Sequence, residues 1–151
     1  TEDAYKLVLG VDSNNLSANY NLAILYYNDG VNIIKNLDYD LDMFELNTIQ
    51  DEVVLLFQKS LPYANRAYLL NPCRKETLIM LSGIYFSLNE MEKSQQIQNE
   101  LEGVEKVDEY KELIKNLTNL QEGTEEFNNA QVKIKELTEA HSNLNYCAGN
   151  K

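Results

Sequence analysis

The sequence predicts an all-α fold, with helix–turn–helix repeats over residues 1–103 and a C-terminal helical hairpin over residues 104–151. Apolar residues recur at spacings of three and four along most of the chain, the period of a helix with one buried face. Only 2 prolines and 6 glycines punctuate 151 residues, and a many-stranded β fold needs more turn residues than that. A leucine, a small residue and a tyrosine one turn later occur twice, as Leu22-Ala23 with Tyr26 and as Leu81-Ser82 with Tyr85, each after a polar turn. The small side chain lets a partner helix approach while leucine and tyrosine fill the groove between them. Units of this kind bury their apolar faces only by stacking on one another.

Ala4, Tyr5, Val8, Leu9 and Val11 give the first segment a helical stripe with no visible cap, the pattern of a helix tail. Asp12-Ser13-Asn14-Asn15 is a turn of residues that hydrogen-bond locally, and Asn15 or Ser17 is placed to cap the next helix. That helix carries Tyr20, Leu22, Ala23, Leu25, Tyr26 and Tyr27 on more than one face, which predicts burial on two sides. Its stripe passes Gly30 and ends near Asn36.

Leu37 to Asn47 reads as an irregular acidic loop. Asp38, Asp40 and Asp42 alternate as in a calcium loop, but Met43 stands where that loop needs glycine and Ile49 where it needs glutamate, so no metal site is expected. Helical pattern resumes near Thr48 and runs through Val53, Phe57, Leu61, Ala64 and Leu70. Pro62 lies inside it. Because the apolar stripe passes straight through, one kinked helix is expected rather than a second helix capped by Ser60. Asn71-Pro72 stops it, Thr77 to Ser87 forms the next helix, and Asn89-Glu90 makes a short turn. A helix from Met91 to about Gly103 has a weaker apolar face.

Val107, Tyr110, Ile114 and Leu117 form one further stripe, and Phe127, Ala130, Ile134, Leu137, His141 and Leu144 another, broken at Glu122-Gly123-Thr124. Two short helices in a hairpin are expected, with a frayed tail from Asn145. The alternative is a structural or oligomerising module in which residues 104–145 pair between chains.

Composition narrows the function. A chain that is 44% hydrophobic and 25% charged is ordinary globular material. Thirteen basic against 24 acidic residues give a net charge of −11, the wrong sign for nucleic acid or anionic lipid. The charge serves solubility, or recognition of a basic partner. No apolar run is long enough to insert in a membrane. Cys73 and Cys147 lie far apart and outside metal-ligand spacing, and read as incidental thiols, with one bridge left open. The first residue is Thr1, as in a fragment or a processed form, so cytoplasm and periplasm both stay open.

Nothing points to catalysis. His141 is the sole histidine, neither cysteine has activating neighbours, and no glycine-rich loop is present to cradle phosphate. No catalytic residue, metal or cofactor is expected.

On the residues that recur, the chain resembles the tetratricopeptide repeat family, in a degenerate, bacterial-type form. Leu22, Ala23, Tyr26 and Gly30 match one first helix of a repeat, and Leu81, Ser82 and Tyr85 match the next. Ala64, Ala67, Leu70 and Pro72 match the small residues and closing proline of a second helix. The resemblance covers residues 1–103: 1–15 as the end of a preceding repeat, 16–74 as a repeat lengthened between Asp29 and Lys59, and 75–103 as a second repeat.

The resemblance implies a non-catalytic protein–protein interaction scaffold, the C-terminal part of a longer array in a bacterial protein. In this family the first helices line a concave groove. Transferred here, that groove holds Tyr20, Ile24, Tyr27 and Asn28 of one first helix and Ile79, Gly83 and Phe86 of the next, joined by Ser17, Glu76 and Ser87. Tyr20, Ile24, Ile79 and Gly83 replace most of the charged clamp that one subgroup uses for carboxylates. The expected occupant is an apolar or amphipathic segment of a protein or peptide. The alternative cover is the chain's own stripe from Val107 to Leu117.

Overall fold

The computed structural model describes residues 1–149, and helix is the only regular structure among them. The helices are α1 (Glu2–Val11), α2 (Leu16–Lys35), α3 (Met43–Leu70), α4 (Lys75–Ser87), α5 (Met91–Glu105), α6 (Val107–Leu117), α7 (Glu125–Ala140) and the short α8 (Leu144–Cys147). They form two compact units, Thr1–Ile97 and the chain from Gln98 onward. The division falls within α5, whereas the sequence placed it after Gly103, where that helix was expected to end.

The first unit is built on the α2–α3 hairpin. Asn15 is the cap: its side chain accepts a hydrogen bond from the Ala18 amide at 2.9 Å. α2 then runs through Gly30, whose missing side chain makes room for Phe57 of α3. Leu22, Ala23 and Tyr26 are buried, and so are Phe57, Ser60, Ala64 and Ala67 opposite them. Small residues bring the backbones close enough for Ser60 to donate from Oγ to the Ala23 carbonyl at 2.7 Å. That bond satisfies a hydroxyl which burial alone would penalise. Ser60 is therefore a packing residue and not a helix start, and α3 passes Pro62 as one helix of 28 residues.

The expected loop from Leu37 to Asn47 is shorter than the sequence suggested. α3 starts at Met43 because Asp42 accepts from the Glu45 amide while Glu45 accepts from the Asp42 amide, a reciprocal cap. α4 likewise begins at Lys75, ahead of Thr77. At its far end Glu90 donates from its amide to the Tyr85 carbonyl and Asn89 to that of Phe86. This closure needs a left-handed residue, and Asn89 supplies it at φ 61°. α5 then packs back through Ser94, which donates to the Ser82 carbonyl at 3.0 Å.

In the second unit α6 and α7 form the expected hairpin, with Thr124 capping α7 by accepting from the Phe127 amide. Glu109 of α6 meets Lys133 of α7 at 2.9 Å. Two expectations are corrected. His141 is not part of a helical seam, since α7 ends at Ala140 and His141 is its extended C-cap. The chain after Asn145 is not frayed through residue 149: Leu144 is fully buried, Asn145 accepts from the Tyr110 hydroxyl, and Asn143 donates to the Glu100 carbonyl at 2.8 Å. The remainder of that tail, residues 150–151, lies outside the described residues.

The cysteines are the third correction. Cys73 and Cys147 are both disulfide-bonded, and neither is a free thiol.

Candidate interaction face

α2 and α4 run in the same direction, each against α3. Their pairing is fixed at two levels. Arg74, at the start of α4, lays its guanidinium 3.6 Å above the ring of Tyr20, a cation–π contact with a face that attracts positive charge. Arg74 also meets Glu76 at 3.4 Å. Farther along, the Tyr27 hydroxyl occupies the space beside Gly83, where an added Cβ would stand 2.8 Å from the oxygen. The Tyr27 ring leans on Phe57, with centroids 5.6 Å apart.

The structure thus brings Tyr27 and Gly83 together and sets Tyr20 under Arg74 at the other level; Tyr20, Tyr27, Gly83 and Ile24 are half-buried. Asn28 is exposed. Ile79 and Phe86 share one side of α4 with Gly83, because positions four and three apart stack on a helix. They are 54% and 60% exposed. On this side of the pair Tyr27 fills the niche at Gly83, while Ile79 and Phe86 stand open on α4 to either side of it. Arg74 was not singled out in the sequence; its position just before a helix looks like a turn residue until Tyr20 is seen beneath it.

A second apolar surface on this unit was not anticipated. A groove of about 510 Å³ is lined by Ile34, Leu37, Met43, Leu46, Ile49 and Val53, with Ser87 at its end. A smaller one adjoins it through Ile49 and includes Phe44. Ile34, Met43 and Phe44 are 49%, 73% and 80% exposed.

The perturbed titrations of this unit lie at the α1–α2 contact. Tyr26 donates from its hydroxyl to Glu2 at 2.6 Å, and Lys6 pairs with the same carboxylate. Lys6 and then Tyr26 hold the Glu2 carboxyl below its ordinary value. Burial and then Glu2 push the Tyr26 phenol up. Among the described residues no group of His, Cys, Asp and Glu is arranged to hold a metal ion, and no helix is long and apolar enough to cross a membrane. The chain matches no family model, no curated protein and no solved structure.

Proposed function

We propose that this chain is a non-catalytic protein–protein interaction scaffold of the tetratricopeptide-repeat kind, holding an apolar or amphipathic segment against the α2–α4 face. The observation that supports this reading most is the exposure of Ile79 and Phe86 on the side of α4 that carries Gly83, against which Tyr27 of α2 rests. Large apolar side chains held open on one helix side mark an interaction surface when they adjoin one another. Two parallel helices backed by an antiparallel third is also the arrangement that stacked hairpins present to a ligand.

Affinity capture from the native organism, with wild-type chain and Ile79→Lys/Phe86→Lys as parallel baits, tests the reading. A partner retained by the first and lost by the second, with helical content equal by circular dichroism, is the expected result. Identical retention by both baits would remove the face from consideration.

A second reading, self-association through residues 104–145, is favoured by α7, which buries no residue fully and leaves Val132 exposed. Light scattering separates the two. A dimer that becomes a monomer when residues 104–151 are removed would support self-association.

A further inference from the structure

We propose that the overhanging end of the α2–α3 hairpin is a separate docking site, for a lysine- or arginine-rich amphipathic helix of a partner protein. The reason begins with lengths. α2 has 20 residues and α3 has 28, whereas α4 has 13 and ends at Ser87. Ser87 lines the end of the groove, and past it only α2, the loop after it and α3 contribute walls. Ile34, Leu37, Met43, Leu46, Ile49 and Val53 supply the apolar lining that a third helix covers elsewhere in this unit. Phe44 lies outside this groove, in a smaller depression on another side of α3 that shares only Ile49 with it. An apolar groove with walls from two helices suits the anchors that an amphipathic helix presents at i, i+3, i+4 and i+7.

Charge decides the occupant. Between Lys35 and Lys59 the chain carries no cation, while Asp38, Asp40, Asp42, Glu45, Asp51 and Glu52 are all exposed. Asp42 and Glu45 have a structural task in the helix cap, and Asp38 accepts from the Asp40 amide at 3.1 Å. None of these carboxylates forms an ion pair among the described residues. None of them lines the groove itself, but Asp51 stands one helical turn from Asn47 and Val54 of its lining, and Glu52 one turn from Ile49. An apolar groove flanked by this unpaired acidic rim attracts a helix whose flanks are basic, and steers its approach. The same rim repels a second copy of this chain, and it repels nucleic acid and anionic membrane for the same reason.

The test uses the whole chain and two fluorescein-labelled helical peptides of about 18 residues with the same leucine face, one lysine-rich and one glutamate-rich. By fluorescence anisotropy the lysine peptide is expected to bind at least about tenfold more tightly than the glutamate peptide. Raising salt from about 0.05 to 0.3 M should weaken the lysine complex several-fold, since screening reaches the rim. Ile34→Gln/Met43→Gln removes an anchor from each helix without changing charge, and should weaken binding about tenfold with an unaltered unfolding temperature. Ile79→Gln, on the α2–α4 face, should change nothing.

Equal binding of the two peptides overturns the proposal, and so does no binding of the lysine peptide at about 100 µM protein. Wild-type affinity in Ile34→Gln/Met43→Gln leaves only diffuse charge attraction and also overturns it. Loss of binding in Ile79→Gln instead would move the peptide to the other face. Sedimentation showing that the peptide competes with self-association would make a second copy the occupant and overturn it too.

Discussion

Two glycines on α2 and α4 make close approaches, yet their replacement should have unequal effects. A Cβ on Gly30 would stand 2.7 Å from Cε1 of Phe57. Phe57 is buried, with the Tyr27 ring packed against it, so its ring has nowhere to move. Alanine inside a helix gains about 1 kcal/mol over glycine in backbone terms, while overpacking a filled core costs about 1–3 kcal/mol. The clash should win. Gly30→Ala is expected to lower stability by up to about 2 kcal/mol in urea unfolding, and Gly30→Ala/Phe57→Leu should recover part of it. At Gly83 the opposing atom is the hydroxyl of a half-buried tyrosine that can swing outward. Gly83→Ala should therefore be the milder change. In the sequence the apolar stripe carries the helix past Gly30, and the reason for a glycine there is the Phe57 ring lodged against it.

At the scale of helices, α1 buries no residue of its own. Its named tie to α2 is the hydrogen bond from Tyr26 to Glu2, with Lys6 alongside. The Glu2 carboxyl is held below its ordinary value in the folded chain. Its contribution is therefore present above the unfolded carboxylate pKa of about 4.3 and is lost as pH falls through the lower folded value. Acidification through that window should loosen α1, seen as faster amide exchange at Lys6–Leu9 than at Leu22–Tyr26, and Glu2→Gln should flatten the pH dependence. The effect is modest because the carboxylate is open to solvent.

Helix identity was legible from α1 to α7, since a stripe of period 3.6 survives degenerate sequence. The uninterrupted stripe through Pro62 gave one long helix correctly. The start of that helix was misplaced because Asp42 was read as one of three alternating carboxylates. Its partnership with Glu45 three residues later is the signal that marks the boundary. Asn145 was read as loose because a short polar tail carries no period, although a single buried leucine, Leu144, anchors it.

For the whole molecule, the chemistry that spacing does not carry is the oxidation of its cysteines. A disulfide depends on where the backbone places each Cβ, not on separation along the chain. With both cysteines bonded, protein denatured without reductant should take up no iodoacetamide, and mass spectrometry should detect the adducts only after reduction. Reduction is expected to cost about 2–4 kcal/mol of unfolding free energy. The α2–α4 face was partly legible, because its tyrosines and Ile79 and Phe86 sit at helical spacing. The groove at the hairpin end was not. Its existence depends on one helix stopping before its neighbours, and no single segment records the length of another.

Unequal helix length also divides the first unit by how long its backbone stays closed. Where α2, α3 and α4 lie together, an amide opens only when several packed side chains part at once. Beyond Ser87 the overhang is held by one neighbouring helix, and its release needs no movement of the rest. Deuterium should therefore enter Leu46–Gln50 at least about tenfold faster than Ala64–Ala67, though both lie in the same continuous helix. α3 behaves as a rod in shape and as two clocks in time, and whatever settles on its free end would bring the two into step.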